Sequence, residues 1–231
     1  MLKQRERWFR MARFETEFLL SATSQAQFPA PTAPEFAFLG RSNVGKSSLI
    51  NALTGQVAAR VSSTPGRTRA INFFAMRPRP GVPAEMILAD LPGYGYAKLA
   101  RSIRAEWPAF IDPYLATRPT LAGCVCLVDI SIPPQASDAQ LAEYLDSIGR
   151  ARVVVATKAD RVSGNERTKA LRALRTALGT ESILACSAKD NRGISELWSA
   201  LRTAAAGHSA GAPTAAVTQA AAKFPEQPPK G

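Results

Sequence analysis

One eight-residue segment constrains the fold of this chain more than any other. Residues 40–47 read GRSNVGKS, which fits the pattern G-x-x-x-x-G-K-[ST] of loops that bind phosphate. The segment follows the apolar run FAFL and opens a helical pattern, which is the context that such a loop requires. Its glycines let backbone N–H groups curl around phosphate oxygens, and the helix N-terminus adds partial positive charge. The segment therefore predicts an α/β fold with a phosphate site.

Every residue of this loop, and Ser48 after it, is predicted to bind the nucleotide. Lys46 is expected to reach the outer phosphates, and Ser47 is expected to ligate Mg²⁺. The predicted contacts of the loop are Gly40, Arg41, Ser42, Asn43, Val44, Gly45, Lys46, Ser47 and Ser48.

The rest of the chain alternates short apolar runs with helical patterns. This alternation is typical of a mostly parallel sheet with helices on both faces. We expect six strands, with the strand at 69–76 antiparallel at an edge of the sheet. The predicted strands span residues 35–39, 69–76, 85–89, 122–128, 152–156 and 182–186. The predicted helices span residues 46–53, 102–116, 138–148, 165–178 and 194–205.

The two ends of the chain differ from its middle. Residues 1–14 form a basic arm, and residues 207–231 are rich in Ala, Pro and Gly, a composition that predicts disorder. A nucleotide-binding domain over residues 15–206 is expected between them. No run of 18 apolar residues is present, and three cysteines are too few for a disulfide framework, so we expect a cytoplasmic protein.

The charge of the chain favours polyanionic partners. Lys and Arg number 29 against 18 Asp and Glu, which leaves a formal net charge of +11. Such an excess is typical of proteins that bind RNA, DNA or a ribosome.

A second phosphate motif follows the apolar run EMILA. Asp90, Leu91, Pro92 and Gly93 form a D-x-x-G turn, which places a carboxylate at the carboxyl end of a predicted strand. Asp90 is expected to hold Mg²⁺ through water, and the Gly93 N–H can donate to a γ-phosphate.

Two further motifs point to guanine. Thr157, Lys158, Ala159 and Asp160 follow the predicted strand RVVVA, and Ser187, Ala188 and Lys189 follow SILAC. A carboxylate at 160 can accept hydrogen bonds from N1–H and N2–H₂ of guanine, donors that adenine lacks. The aliphatic stem of the lysine can cover the base, and the N–H of the alanine at 188 can donate to O6.

Together with TPGRTRAINFF at 64–74 and DLPGYGYAK at 90–98, these motifs resemble the bacterial EngB/YihA/YsxC GTPase family over about residues 14–205. The resemblance implies a Ras-like P-loop GTPase fold and hydrolysis of GTP to GDP and phosphate. It also implies a switch in assembly of the large ribosomal subunit, needed for growth, cell division and septation. The implied partners are GTP, GDP, and the rRNA and proteins of that subunit. We expect a monomer without DNA specificity and, because the basic arm is short and has few apolar residues, without membrane contact.

The resemblance also assigns residues that the motifs alone do not. The first switch runs from 62 to 70, the second from 92 to about 105, and Thr68 is implied as a Mg²⁺ ligand. Asn43 is implied as a K⁺ site, with K⁺ taking the role of an arginine finger. The nucleotide contacts implied in the first switch are Gly66, Arg67, Thr68, Arg69 and Ala70.

Two positions depart from related proteins. Tyr94 stands where Ras-type enzymes place the glutamine that orients water, so no side-chain base is identified. Turnover is therefore expected to be slow without K⁺ or ribosomal particles. Ser131 and Ile132 stand where the family commonly has Arg-His. A P-loop kinase for a small molecule and a GTP-binding protein with little hydrolysis remain open as alternatives.

Overall fold

A seven-stranded sheet forms the centre of the protein. The structure, a computed structural model, describes residues 14–58, 70–95 and 107–208. In chain order the strands are β1 (Glu15–Ala22), β2 (Glu35–Gly40), β3 (Ile71–Arg77), β4 (Met86–Asp90), β5 (Leu121–Asp129), β6 (Arg152–Thr157) and β7 (Ile183–Ala185). The helices are α1 (Lys46–Thr54), α2 (Ile111–Thr117), α3 (Ala136–Ser147), α4 (Gly164–Leu178) and α5 (Ile194–Gly207).

The sheet is mostly parallel, as the sequence predicts. Its strand order is β1-β3-β4-β2-β5-β6-β7, and β3 runs antiparallel to both of its neighbours. All residues of β2, β4, β5 and β6 are buried, because helices cover both faces. Apolar side chains of α2, α3 and α4 pack on one face, and those of α1 and α5 pack on the other.

The prediction of six strands was wrong, because β1 adds a seventh at the edge. Its sequence ETEFLLSA carries two glutamates, and only Ala22 is buried, so it lacks the apolar signal of the central strands. β1 pairs with β3 from Glu15 opposite Arg77 to Ala22 opposite Ile71. The antiparallel direction of β3 was predicted correctly, but its place at the edge was not.

The described residues before β5 are less helical than the sequence predicts. Of the helix predicted at 102–116, residues 102–106 lie outside the described part, and residues 107–110 are not helical. α2 begins only at Ile111, with Pro113 in its first turn, where proline is tolerated. Among the described residues, no helix is long and apolar enough to cross a membrane.

Candidate functional site

The carboxyl ends of four parallel strands bring the predicted motifs to one edge of the sheet. The phosphate loop follows β2, the D-x-x-G turn begins at the end of β4, and the two motifs with a predicted role in guanine binding follow β6 and β7. Open α/β sheets bind ligands at this edge. Of the first-switch contacts, Ala70 precedes β3 directly, whereas Gly66, Arg67, Thr68 and Arg69 lie outside the described residues.

Two residues of the phosphate loop have a left-handed backbone, and a hydrogen bond from outside the loop holds it in place. Gly45 is the N-cap of α1 with φ of 104°, a conformation that side chains rarely allow. Asn43 is exposed and also left-handed, with φ of 66°. The Thr157 hydroxyl lies 2.6 Å from the Val44 carbonyl oxygen and 3.0 Å from that of Val128. The first residue of the TKAD motif therefore holds the phosphate loop against the sheet.

An ammonium and a carboxylate form an ion pair at the start of α1. The Lys46 ammonium pairs with the Asp90 carboxylate, which is only 5% exposed. Ser47 follows in the first turn of α1. A hydroxyl and a carboxylate are hard oxygen donors of the kind that Mg²⁺ prefers, so the described residues fit this ion. A bound Mg²⁺ would neutralise charge on the phosphates.

The TKAD motif (Thr157–Asp160) and the SAK motif (Ser187–Lys189) meet across a cleft of about 320 Å³. The buried Ser187 hydroxyl donates a 2.8 Å hydrogen bond to the exposed Asp160 carboxylate, and this bond lowers the pKa of Asp160. The Lys189 N–H donates in turn to the Ser187 hydroxyl, at 3.2 Å. The cleft is lined by Gly45, Ser48, Leu49, Thr157, Lys158, Asp160, Arg161, Cys186, Ala188 and Lys189.

The D-x-x-G turn touches the phosphate loop directly. The Ser42 N–H donates to the Tyr94 carbonyl oxygen at 3.0 Å. A Cβ on Gly93 would lie 3.0 Å from the Ser42 hydroxyl oxygen, which is too close for an ordinary contact. Glycine at 93 therefore allows the two segments to approach each other.

Tyr94 lies in the core, and sequence reasoning missed its partners. Its ring is 1% exposed and packs edge-on against Trp107, with 6.2 Å between ring centroids. Its hydroxyl donates to Asp138 of α3 at 3.2 Å, and burial with the neighbouring carboxylate raises the pKa of Tyr94. Arg41 also approaches this carboxylate, with 3.3 Å between Nε and Oδ1. The only sequence signal was an acidic residue in the first turn of a helix.

We expect Tyr94→Phe to leave GTP turnover within about twofold of the wild type, because the hydroxyl contacts Asp138 in the core. Asp138 keeps Arg41 as a partner, so the free energy of unfolding should fall by only about 1–2 kcal/mol. Single-turnover phosphate release and urea unfolding measure the two quantities. A hundredfold loss of turnover at unchanged nucleotide affinity would show instead that the hydroxyl takes part in hydrolysis.

The sequence of the chain is similar to those of known GTP-binding proteins. The family model for 50S ribosome-binding GTPases matches residues 35–158, which is more than half of the chain. A probable GTP-binding protein EngB from Acidobacterium capsulatum is 63% identical over 191 residues, covering 82% of this chain and 90% of that protein. The corresponding protein of Koribacter versatilis is 56% identical, with 82% and 94% covered.

Two solved structures share the fold. A probable GTP-binding protein EngB superposes with a TM-score of 0.52 at 22% identity, covering 71% of this chain and 94% of that one. Era in complex with MgGDPNP and nucleotides 1506–1542 of 16S ribosomal RNA superposes with a TM-score of 0.59 at 19% identity, covering 73% and 55%. The high identity to the two bacterial relatives and the family match across the phosphate loop lead to one conclusion: the chain belongs to the EngB family of GTPases.

Proposed function

We propose that this GTPase acts as a nucleotide-dependent switch in assembly of the large ribosomal subunit. The observation that carries the proposal is the match to a family described as 50S ribosome-binding GTPases. The net charge of +11 supports a partner rich in phosphate. Membership of a GTPase family also favours this function over the small-molecule kinase.

In the proposed nucleotide site, Asp160 reads the guanine edge. Its carboxylate is exposed at the cleft and already accepts one hydrogen bond from Ser187, which restricts its rotation. The Ala188 N–H donates to O6, and the stem of Lys158 covers the face of the base. The phosphate loop wraps the phosphates, with Lys46 at the outer ones and with Mg²⁺ held by Ser47, by Asp90 through water, and by Thr68.

In this proposal no side chain among the described residues activates the attacking water, so fast hydrolysis depends on a K⁺ ion or on ribosomal particles. Tyr94, in the position after D-x-x-G, is buried against Trp107 and Asp138 and so is not available to orient water. We therefore propose slow intrinsic turnover, with acceleration by ribosomal particles or by K⁺ at Asn43. Phosphate release measured with and without each of them tests this part.

The ribosomal partner is tested by co-sedimentation with purified large subunits over a salt series. Arg67 and Arg69 lie in the predicted first switch, so binding should be about tenfold tighter with a non-hydrolysable GTP analogue than with GDP. Binding should weaken steeply with salt, because each neutralised phosphate releases counterions. Replacing both arginines with Gln should flatten that salt dependence when each nucleotide is present at a saturating concentration.

A control variant that also loses two arginines distinguishes an effect of the first switch from an effect of net charge alone. Arg79 lies in the β3–β4 connection and Arg202 pairs with Glu85 before β4, so both lie at the edge of the sheet opposite the cleft. Arg79→Gln with Arg202→Gln should keep the salt dependence of the wild type. Equal sedimentation in the two nucleotide states would contradict the proposed switch.

A further inference from the structure

Asp129, the last residue of β5, forms a buried polar cluster beside the cleft. Its side chain is 7% exposed, and its two oxygens have different partners. Oδ2 accepts a 2.5 Å hydrogen bond from the Lys158 ammonium. Oδ1 accepts from the Ser131 N–H at 2.9 Å and from the Ser131 hydroxyl at 2.6 Å.

This carboxylate is held in its charged form. Burial raises the pKa of Asp129, but hydrogen bonds from Lys158 and Ser131 outweigh burial and lower the pKa below its ordinary value. The charge therefore faces the Lys158 ammonium throughout the neutral pH range. A charged pair with further hydrogen bonds to the carboxylate is stronger and better oriented than an exposed ion pair.

Two acceptors beside the cleft hold the Lys158 ammonium. Its backbone is left-handed, with φ of 60°. Its ammonium donates to the Asn43 carbonyl oxygen at 2.9 Å as well as to Asp129. Its Cε lies 4.0 Å from the position that a Cβ on Gly45 would occupy. The aliphatic stem therefore runs from the TKAD motif to the phosphate loop, along one wall of the cleft.

We propose that Asp129 is a positioning residue that holds the stem of Lys158 in place for the flat face of the nucleotide base. This inference rests on the proposed guanine site. Asp129 makes no contact with the base in this arrangement; it acts through Lys158. A free lysine loses up to about 2 kcal/mol of rotamer entropy when it is ordered. Because Asp129 and Asn43 order the stem before the ligand arrives, binding does not carry that cost.

Substitutions of Asp129 and of Asp160 should change the affinities for purine nucleotides in different ways. Asp160 reads the edge of the base, so changing it alters the preference between bases. Asp129 supports the face of the base, and every purine presents a similar face. Loss of its charge should therefore weaken all purine nucleotides by the same factor.

The experiment is a fluorescence titration of the full chain with GDP and with inosine diphosphate, which lacks the 2-amino group. Asp129→Asn should lower the affinity for both nucleotides by about tenfold, with the ratio between them unchanged. Asp160→Ala serves as the comparator and should change that ratio. A change in the ratio for Asp129→Asn, or an unchanged GDP affinity, would overturn the inference.

A double-mutant cycle tests whether Asp129 acts through Lys158. Lys158→Met keeps the aliphatic stem and removes the ammonium. On that background, Asp129→Asn should change GDP affinity by less than about twofold. If the two substitutions lower GDP affinity independently, so that their fold-changes multiply in the double variant, the positioning role is contradicted and a general effect on the fold is indicated. Ser131→Ala removes one of the three hydrogen bonds and should lower affinity by no more than about threefold.

The experiments distinguish failure of the inference about Asp129 from failure of the proposed nucleotide site. The Lys158 side chain is 21% exposed, so Lys158→Met tests the inference even if Asp129→Asn does not fold. GDP binding by Lys158→Met equal to that of the wild type would overturn it. Absence of GDP binding by the folded wild type would overturn the proposed nucleotide site instead.

Discussion

Replacing Lys46 with Ala should lower GTP turnover by at least about a hundredfold, the cost of losing one preorganised donor to a charged transition state. Lys46 is the first residue of α1, and its side chain is only 12% exposed. Its removal takes one positive charge from the phosphate site. It also leaves the buried Asp90 carboxylate unpaired beside that site, where it repels the phosphates.

The same substitution should lower the free energy of unfolding by about 3 kcal/mol, because the buried Asp90 carboxylate loses its ion-pair partner. Single-turnover phosphate release and urea unfolding measure the two effects. Lys169→Ala is the matched control, because Lys169 is exposed on α4 away from the phosphate loop, and it should change neither quantity. If Lys46→Ala turns over GTP at the wild-type rate, Lys46 has no role in the proposed site.

Asp160→Asn should exchange guanine for xanthine as the preferred base. Ser187 donates to Oδ1, so the amide oxygen of Asn would take that position and the amide NH₂ would take the place of Oδ2. A donor there matches the C2 carbonyl of xanthine and leaves the 2-amino group of guanine without an acceptor. We expect GTP affinity to fall by at least about a hundredfold and xanthosine triphosphate affinity to rise.

Folding should be unaffected, because Asp160 is exposed. Asp190→Asn is the matched control: it removes the same charge from an exposed carboxylate, 3.0 Å from Arg192, and should bind both nucleotides like the wild type. Competition titrations with the two triphosphates measure the preference. Equal weakening of both by Asp160→Asn would mean that this residue does not read the base.

The local motifs of the chain predict the edge of the sheet at which the candidate site should lie. Each of them stands at the end of an apolar run, and parallel strands place their carboxyl ends at one edge of a sheet. The cleft accordingly forms where the segments after β2, β6 and β7 meet. The prediction did not depend on any long-range contact, because strand direction alone brings these segments together.

What the sequence could not predict depends on pairs of residues far apart in the chain. β1 was missed because its stability comes from pairing with β3 rather than from an apolar face of its own. Tyr94 and Asp138 are 44 positions apart, and Asp129 and Lys158 are 29 apart.

The sequence by itself determined the order of the helices and of every strand except β1, the phosphate-loop motif and the motifs that follow β6 and β7. Short segments are enough to specify those features, through the spacing of their apolar residues and the residue types at the end of each strand. Only the tertiary structure decided that Tyr94 is buried against Asp138, and that Asp129 holds Lys158 along the cleft. The reason is that a buried carboxylate needs a donor nearby, and packing decides which distant side chain supplies it.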